Sequence, residues 1–470
     1  MGKMITRQDI SRMIQTIPVT MYHGQLGLLL ANNSADAIAL YGWFISNEVP
    51  LIMLNATENM GVVRSYVFAY HPYWLVYPIL KEHNGICQKQ RCGGNIFENY
   101  ETVCEWNGYI IACRIGATNK YSYRWIENLA LLLPTSGSTG GHKLVMLTKT
   151  NLSTNARSIA ESLRMTSSDC SAVIMPISYA YGLSVVNSTF MSGGSLLIPE
   201  TDIFHVECWD YLEENKVTVI SGVPYAYEWY CRLRVFDRSL YSLRLMTTAG
   251  GAMSRVMKEH LLKEAEKRHV DLAVMYGQTE ATARISSFFL NEHPDKIDSV
   301  GKVVPGGKIT IALPDDKGCG EIVYEGDNVF SGYACGMSEL LAAESKSYRN
   351  CIRHHTGDVG YIDRDGYLYI TGRLSRYAKI CGKRISLDEL QAEISNVLHW
   401  DIVAVVIPYK EKEIVGLFGT REMEPKWEQQ ISKYYPLLRG SVKYIRLDEL
   451  PYTVNGKVDY VSLSEKKINM

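Results

Sequence analysis

The chain has 470 residues, 46% of them hydrophobic and 21% charged, with a formal net charge of −1. That length suits two or three domains around a large core, and the absence of a basic excess argues against nucleic acid as the main partner. Eleven cysteines, an odd number in a chain too large to need disulfide staples, read as reduced thiols. With no secretory leader and no apolar run approaching the ~20 residues of a bilayer span, a cytoplasmic protein without a membrane span is expected.

Taken in chain order, Leu26 to Ala31 reads as a strand, Ala35 to Ile45 as a helix and Val49 to Leu54 as a second strand, which together make a βαβ unit. Cys87 and Cys92 flank Arg91, but no second pair follows at zinc-finger spacing. Ala130 to Leu133 and Leu144 to Leu147 read as strands around a glycine-rich loop. Ser153 to Leu163 carries a helical apolar face, with Ser153 as its candidate N-cap. Val217 to Ile220, Leu243 to Met246 and Asp271 to Tyr276 are further strands, and Ser254 to His269 is a charged amphipathic helix. The alternation predicts an α/β fold with large, multi-sheet layers and substantial parallel pairing.

After about residue 300 the pattern changes. Lys308 to Ala312 and Glu321 to Tyr324 are short strands split by a turn at Asp315 to Gly320. Beyond Arg373 a compact α+β segment offers helices around Leu387 to Val397 and Trp427 to Leu438, and strands at Ile402 to Ile407 and Ile414 to Phe418. The expected division is 1–373 for a large N-terminal domain and 374–470 for a small C-terminal one.

Four motifs carry chemistry. In Thr135-Ser136-Gly137-Ser138-Thr139-Gly140-Gly141-His142-Lys143, glycines let backbone N–H groups approach an anion, hydroxyls add donors and Lys143 adds a compact positive charge. It is not the usual P-loop, because Leu144 follows Lys143 and a strand, not a helix, comes next. Taken alone it also reads as a surface turn. Tyr276-Gly277-Gln278-Thr279-Glu280 ends a strand, where ligands of α/β sheets collect. Glu280 there suits Mg²⁺, although Thr279 or Glu280 could instead cap a following helix. Thr356-Gly357-Asp358 leads through Asp363-Arg364-Asp365-Gly366 to Thr371-Gly372-Arg373. Asp365-Gly366 reads as a hairpin turn, whereas Asp358 can accept both hydroxyls of a ribose and Arg373 offers a planar donor fork. Finally, Asn455-Gly456 makes a tight turn that projects Lys457.

In this order and spacing the four motifs resemble the adenylate-forming superfamily of acyl-CoA synthetases, aryl-CoA ligases, peptide-synthetase adenylation domains and beetle luciferases, over most of the chain from about Leu26 to Lys457. The resemblance implies a large AMP-binding domain, a small mobile one, and activation of a carboxylic acid by ATP and Mg²⁺ as an acyl-adenylate. CoA or a phosphopantetheinyl acyl-carrier protein is then the implied acceptor, with amino-acid adenylation or a non-catalytic nucleotide-binding role as alternatives. It implies that Thr135, Ser136, Gly137, Ser138, Thr139, Gly140 and Lys143 hold the β- and γ-phosphates. Tyr276, with Gly277 beside it, stacks on adenine, Thr279 contacts the α-phosphate and Glu280 binds the metal. Gly250-Gly251 borders adenine and the acyl pocket, Asp358 holds the ribose with Arg373 beside it, and Lys457 enters the site for adenylation. Tyr179, in Pro176 to Gly182, falls near the substrate carboxylate. No aspartate occurs between Pro176 and Phe190, which favours an acyl or aryl acid over an α-amino acid, since a buried ammonium would lack a partner.

The chain departs from the family pattern at three places. His142 stands where proline is frequent, and Ser375 followed by Arg376 stands at the hinge where relatives carry an acidic residue or lysine. The segment before the first strand is short for the usual opening hairpin. Lys379 to Ile385, with Gly382, resembles the loop that faces the site during thioester formation, or simply a hairpin.

Overall fold

The structure is a computed structural model that describes residues 2–21, 24–79, 99–116, 128–135, 143–345, 353–374, 376–380, 383–398, 400–409, 412–422, 442–453 and 457–465. Two eight-stranded sheets dominate it. One runs Lys3–Thr6, Ser195–Ile198, Cys170–Ala172, Val219–Gly222, Leu245–Thr248, Asp271–Tyr276, Ser286–Phe289, Lys302–Val303. Its four strands from Ser195–Ile198 to Leu245–Thr248 and the neighbouring Asp271–Tyr276 are parallel, and its outer pairings are antiparallel. The other runs Tyr333–Ala334, Leu144–Thr148, Leu129–Pro134, Leu51–Asn55, Gly27–Ala31, Trp74–Pro78, Tyr109–Arg114, Tyr100–Trp106. The expected βαβ unit is there: Gly27–Ala31 pairs in parallel with Leu51–Asn55 across the helix Ala35–Ser46.

These strands are continuous apolar runs because both faces are covered. One core cluster joins Leu29, Met53, Val145 and Leu147 to Ile38, Leu183, Val186, Leu196 and Ile198, so helices lie packed between the two sheets. The helix expected from Ser153 begins earlier, at Lys149. Thr148 and Asn151 form a reciprocal cap, with Asn151 N donating to Thr148 Oγ1 at 3.1 Å and Thr148 N donating to Asn151 Oδ1 at 2.8 Å. Ser153 lies inside that helix and donates to the Thr150 carbonyl. The short N-terminal segment supplies an edge strand, Lys3–Thr6, and a helix, Arg7–Gln15, that starts on a Thr6–Asp9 capping box.

A four-stranded antiparallel sheet follows: Lys308–Ala312, Gly320–Glu325, Arg353–Ile362, Leu368–Arg373. The hairpin at Asp365-Gly366 is structural, as its sequence suggests: Gly366 takes φ +83°, and Asp363 Oδ1 accepts from Asp365 N and Tyr367 N.

Beyond it, Tyr377–Ile380 pairs with Lys383–Ser386, and the helix Leu387–Leu398 packs on the sheet Val403–Tyr409, Lys412–Gly419, Val442–Arg446. Two hydrophobic clusters draw only on residues from Ala378 to Leu463. The helix expected around Trp427 to Leu438 lies outside the described residues. Among the described residues no helix is long and apolar enough to cross a membrane.

Candidate active site

Three parallel strands end side by side, with Gly222 level with Thr248 and Thr248 level with Val274. The segments that follow, Val223-Pro224, Ala249-Gly250-Gly251 and Gly277 to Glu280, therefore share one end of the sheet, where α/β proteins bind ligands. Gly250 takes φ +85°, a left-handed conformation that favours glycine. At Gly277 a β-carbon would lie 1.8 Å from the Ala283 carbonyl oxygen, so only glycine lets the chain fold back there. Thr279 and Glu280 do not cap a helix. They form a single 3₁₀ turn, Thr279–Ala281, before the antiparallel strand Ser286–Phe289.

The buried carboxylate of Asp358 is the hub. The Tyr276 hydroxyl donates to Asp358 Oδ2 at 2.6 Å and Gln278 Nε2 donates to the same oxygen at 2.7 Å. Arg373, its cross-strand partner, brings Nε to Oδ1 at 2.6 Å. Gln278 must present Nε2 to the carboxylate, so its Oε1 is an acceptor, and His354 Nε2, 2.8 Å away, is the donor. Burial holds His354 below the ordinary histidine range, which keeps it neutral. Burial, then the Asp358 charge, push the Tyr276 phenol well above the usual range, so it stays a donor.

A second group sits beside this one. The Tyr333 hydroxyl donates to Glu280 Oε1 at 2.7 Å, and Lys143 Nζ lies 3.5 Å from the centre of the Tyr333 ring. Strand pairing explains the meeting. Pro134 pairs with Leu144, which closes the base of the glycine-rich loop, and Tyr333 pairs with Val145. Thr135 and Lys143 thus stand at the two feet of that loop. Ser136, Gly137, Ser138, Thr139, Gly140, Gly141 and His142 lie outside the described residues, as do Cys87, Arg91, Cys92, Ser375 and Gly382.

Lys457 comes to the same place from the far end of the sequence. Burial, then the positive charge of Arg373, lower its pKa, while Glu280 and Asp358 act to raise it. Thr453 N donates to the Lys457 carbonyl at 2.7 Å, and the ring centre of the preceding Tyr452 lies 4.4 Å from that of Tyr225 on the helix Pro224–Arg232. Tyr179 is half-buried at the start of the helix Ala180–Met191.

The structure thus brings Tyr276, Glu280, Asp358, Arg373, Lys143 and Lys457 into one region, with Gly250, Gly251, Gly277 and Thr279 on its border. Sequence alone does not single out Gln278, Tyr333 or His354. Gln278 lies inside one of the four motifs, whereas Tyr333 and His354 carry no local signal.

The model of the AMP-binding enzyme family matches residues 102–334. YngI of Bacillus subtilis (strain 168), whose name assigns it provisionally to the acyl-CoA synthetases, is 28% identical over 364 residues, covering 73% of this chain and 64% of that protein. An oxalate–CoA ligase of Arabidopsis thaliana is 28% identical over 354 residues, covering 70% and 66%. The chain therefore spans just under two thirds of the length of these two relatives. Among solved structures, o-succinylbenzoate CoA synthetase from Bacillus subtilis, in complex with its acyl-adenylate intermediate, has the same fold. The TM-score is 0.72 at 19% identity, over 98% of this chain and 92% of that one.

Proposed function

We propose that this chain, which belongs to the adenylate-forming superfamily of AMP-binding enzymes, is an ATP-dependent acid–thiol ligase. A carboxylate oxygen of the acid attacks the α-phosphorus of ATP, the bond to the α–β bridging oxygen breaks, and pyrophosphate leaves. The acyl-adenylate is then attacked at its carbonyl by a thiol, which loses its proton as AMP departs. CoA or a carrier-protein pantetheine is the acceptor.

The observation that carries this reading is the meeting of Lys457 with Arg373, Glu280 and Asp358. Two anions must approach each other in the first step, so fixed positive charge at the α-phosphate stabilises the transition state more than the separated reactants. Lys457 supplies that charge. Asp358, held by Tyr276, Gln278 and Arg373, presents a fixed acceptor for ribose hydroxyls. Gly250 and Gly251 border the adenine and acyl sites. Lys143, with Thr135, Ser136, Gly137, Ser138, Thr139 and Gly140, holds the β- and γ-phosphates, and Thr279 reaches the α-phosphate. No protein nucleophile is needed.

Glu280 suits Mg²⁺: it is a half-buried hard oxygen donor, and among the described residues no three His, Cys, Asp or Glu side chains converge as a protein cage. Such an ion would share its ligands with the nucleotide and, when bound, draw charge off the phosphates. We take 1–373 as the nucleotide domain and 374–470 as a smaller unit that moves between the two half-reactions. The C-terminal clusters that draw only on Ala378 to Leu463 support that division. A cytoplasmic setting, where ATP and reduced thiols are at hand, goes with this chemistry.

Pyrophosphate exchange into ATP across a panel of carboxylic acids is the test. Acid-dependent exchange is expected, and failure with every acid, together with failure to bind ATP, would overturn the ligase. Offering CoA and a phosphopantetheinyl carrier to the loaded enzyme then identifies the acceptor.

A further inference from the structure

We propose that Arg284 is a specificity residue that binds a second carboxylate of the acid, so that the substrates of this ligase are dicarboxylic acids. The inference rests on the ligase reading above and extends it to the substrate class.

Arg284 is 2% exposed. Arginines elsewhere in the molecule have acids: Arg244 has Asp169, Arg373 has Asp358, and Arg376 has Asp388. Arg284 forms no ion pair among the described residues. One guanidinium nitrogen makes a long 3.3 Å contact to Ser184 Oγ, the guanidinium carbon stands 4.9 Å from the centre of the Tyr181 ring, and among the described residues Nε has no hydrogen-bond partner. A cation withdrawn from water without a counter-charge is costly. Burial depresses the Arg284 pKa to about 10, which still leaves it charged at neutral pH.

The side chain cannot easily retreat. Its own carbonyl is fixed by Asn155 Nδ2 at 3.1 Å and Asn328 Nδ2 at 3.0 Å. Tyr181, in front of it, is only half-buried, and its hydroxyl reaches Thr247 Oγ1 at 2.9 Å, which in turn donates to Ser221 Oγ at 2.9 Å. Those residues lie at the ends of the strands that lead into Pro224 and Gly250-Gly251. Arg284 is therefore at the sheet end that borders the acyl side of the site. It is also separate from the reacting groups. Glu280, Asp358 and Arg373 all act on Lys457, whereas among the described residues only the titratable group of Tyr181 acts on Arg284. A second carboxylate would find a fork with an unused donor, and the guanidinium would find its missing charge.

The test is pyrophosphate exchange with matched pairs: succinate against butyrate, glutarate against valerate, and terephthalate against benzoate. Wild type is expected to favour the diacid of at least one pair by about 10- to 100-fold in KM, the range for a hydrogen bond to a charged group. Arg284→Met should collapse that ratio toward one, and Arg284→Lys should fall between. If Arg284→Met does not fold, the wild-type ratios still decide. Exchange with monoacids as efficient as with every diacid would overturn this inference and leave the ligase standing. An unchanged ratio in a folded Arg284→Met would do the same. Absence of exchange with any acid, with no ATP binding, would overturn both.

Discussion

Asp358 and Arg373 face each other across the strand pair Arg353–Ile362 and Leu368–Arg373, with Arg373 Nε 2.6 Å from Asp358 Oδ1. The carboxylate is 3% exposed and the guanidinium 56%, so the pair is one buried charge held at the edge of solvent. Asp358→Asn keeps the shape but removes the charge that orders Tyr276, Gln278 and Arg373. Losing charge-assisted hydrogen bonds of this kind costs about 1.5–3 kcal/mol. We expect nucleotide affinity to fall roughly 10- to 100-fold. Titration with ATP, followed calorimetrically, measures it, and unchanged affinity would remove Asp358 from the ribose site.

Lys457 is expected to serve one half-reaction only. Lys457→Ala should slow adenylation by roughly 10²- to 10³-fold, the usual scale for losing one positioned electrostatic group. Thioester formation from supplied adenylate should stay within a few-fold of wild type. Because the charged lysine does the work, the adenylation rate should fall as pH rises through its pKa. Burial and Arg373 lower that pKa, so the midpoint should lie below the ordinary lysine value of 10.5. Equal loss in both steps, or a rate flat to pH 10.5, would contradict the assignment.

Some of this arrangement is legible in the sequence because it is local. Asp271 to Tyr276 announces a strand by its apolar run, and the glycine after it announces a turn. Thr356-Gly357-Asp358 and Thr371-Gly372-Arg373 each name one half of an ion pair. What sequence does not reveal is long-range. Tyr333 becomes a bridge between Lys143 and Glu280 only once it pairs with Val145. Arg284 carries no local signal, and it is buried where its segment folds back on Gly277. Periodicity puts the helix start at Ser153, too late, because Thr148 and Asn151 satisfy the first N–H groups reciprocally before the apolar face becomes visible.

Tyr333 separates two contributions that share one ring. Tyr333→Phe keeps the face under Lys143 and removes the donor to Glu280; Tyr333→Leu removes both. Loss of one hydrogen bond, about 1 kcal/mol, should shift the Mg²⁺ dependence of exchange by about fivefold in the phenylalanine variant. The leucine variant should also raise the KM for ATP, because a cation–π contact of about 0.5–2 kcal/mol no longer steadies Lys143. Identical behaviour of the two variants would mean that the ring contact with Lys143 contributes nothing to nucleotide binding.

Asp169 tests the frame behind the site. It is 1% exposed, and its carboxylate accepts from Arg244 Nε at 2.6 Å, the Thr166 N–H at 2.7 Å and the Thr218 hydroxyl at 3.1 Å. Burial works to raise its pKa, but these donors and the Arg244 charge together hold it below the ordinary 3.8. Asp169→Asn leaves Arg244 facing a neutral amide, and breaking such a buried pair costs about 3–5 kcal/mol. The melting temperature should fall by several degrees. A depressed carboxyl stabilises fully above its unfolded pKa and loses that contribution as pH falls through the folded one. The gap between wild type and Asp169→Asn should therefore be constant from pH 7 to pH 5 and close only below 3.8. Scanning melts across that range decides it: a gap already closing between pH 7 and pH 5 would show that Asp169 is not held ionised by Arg244.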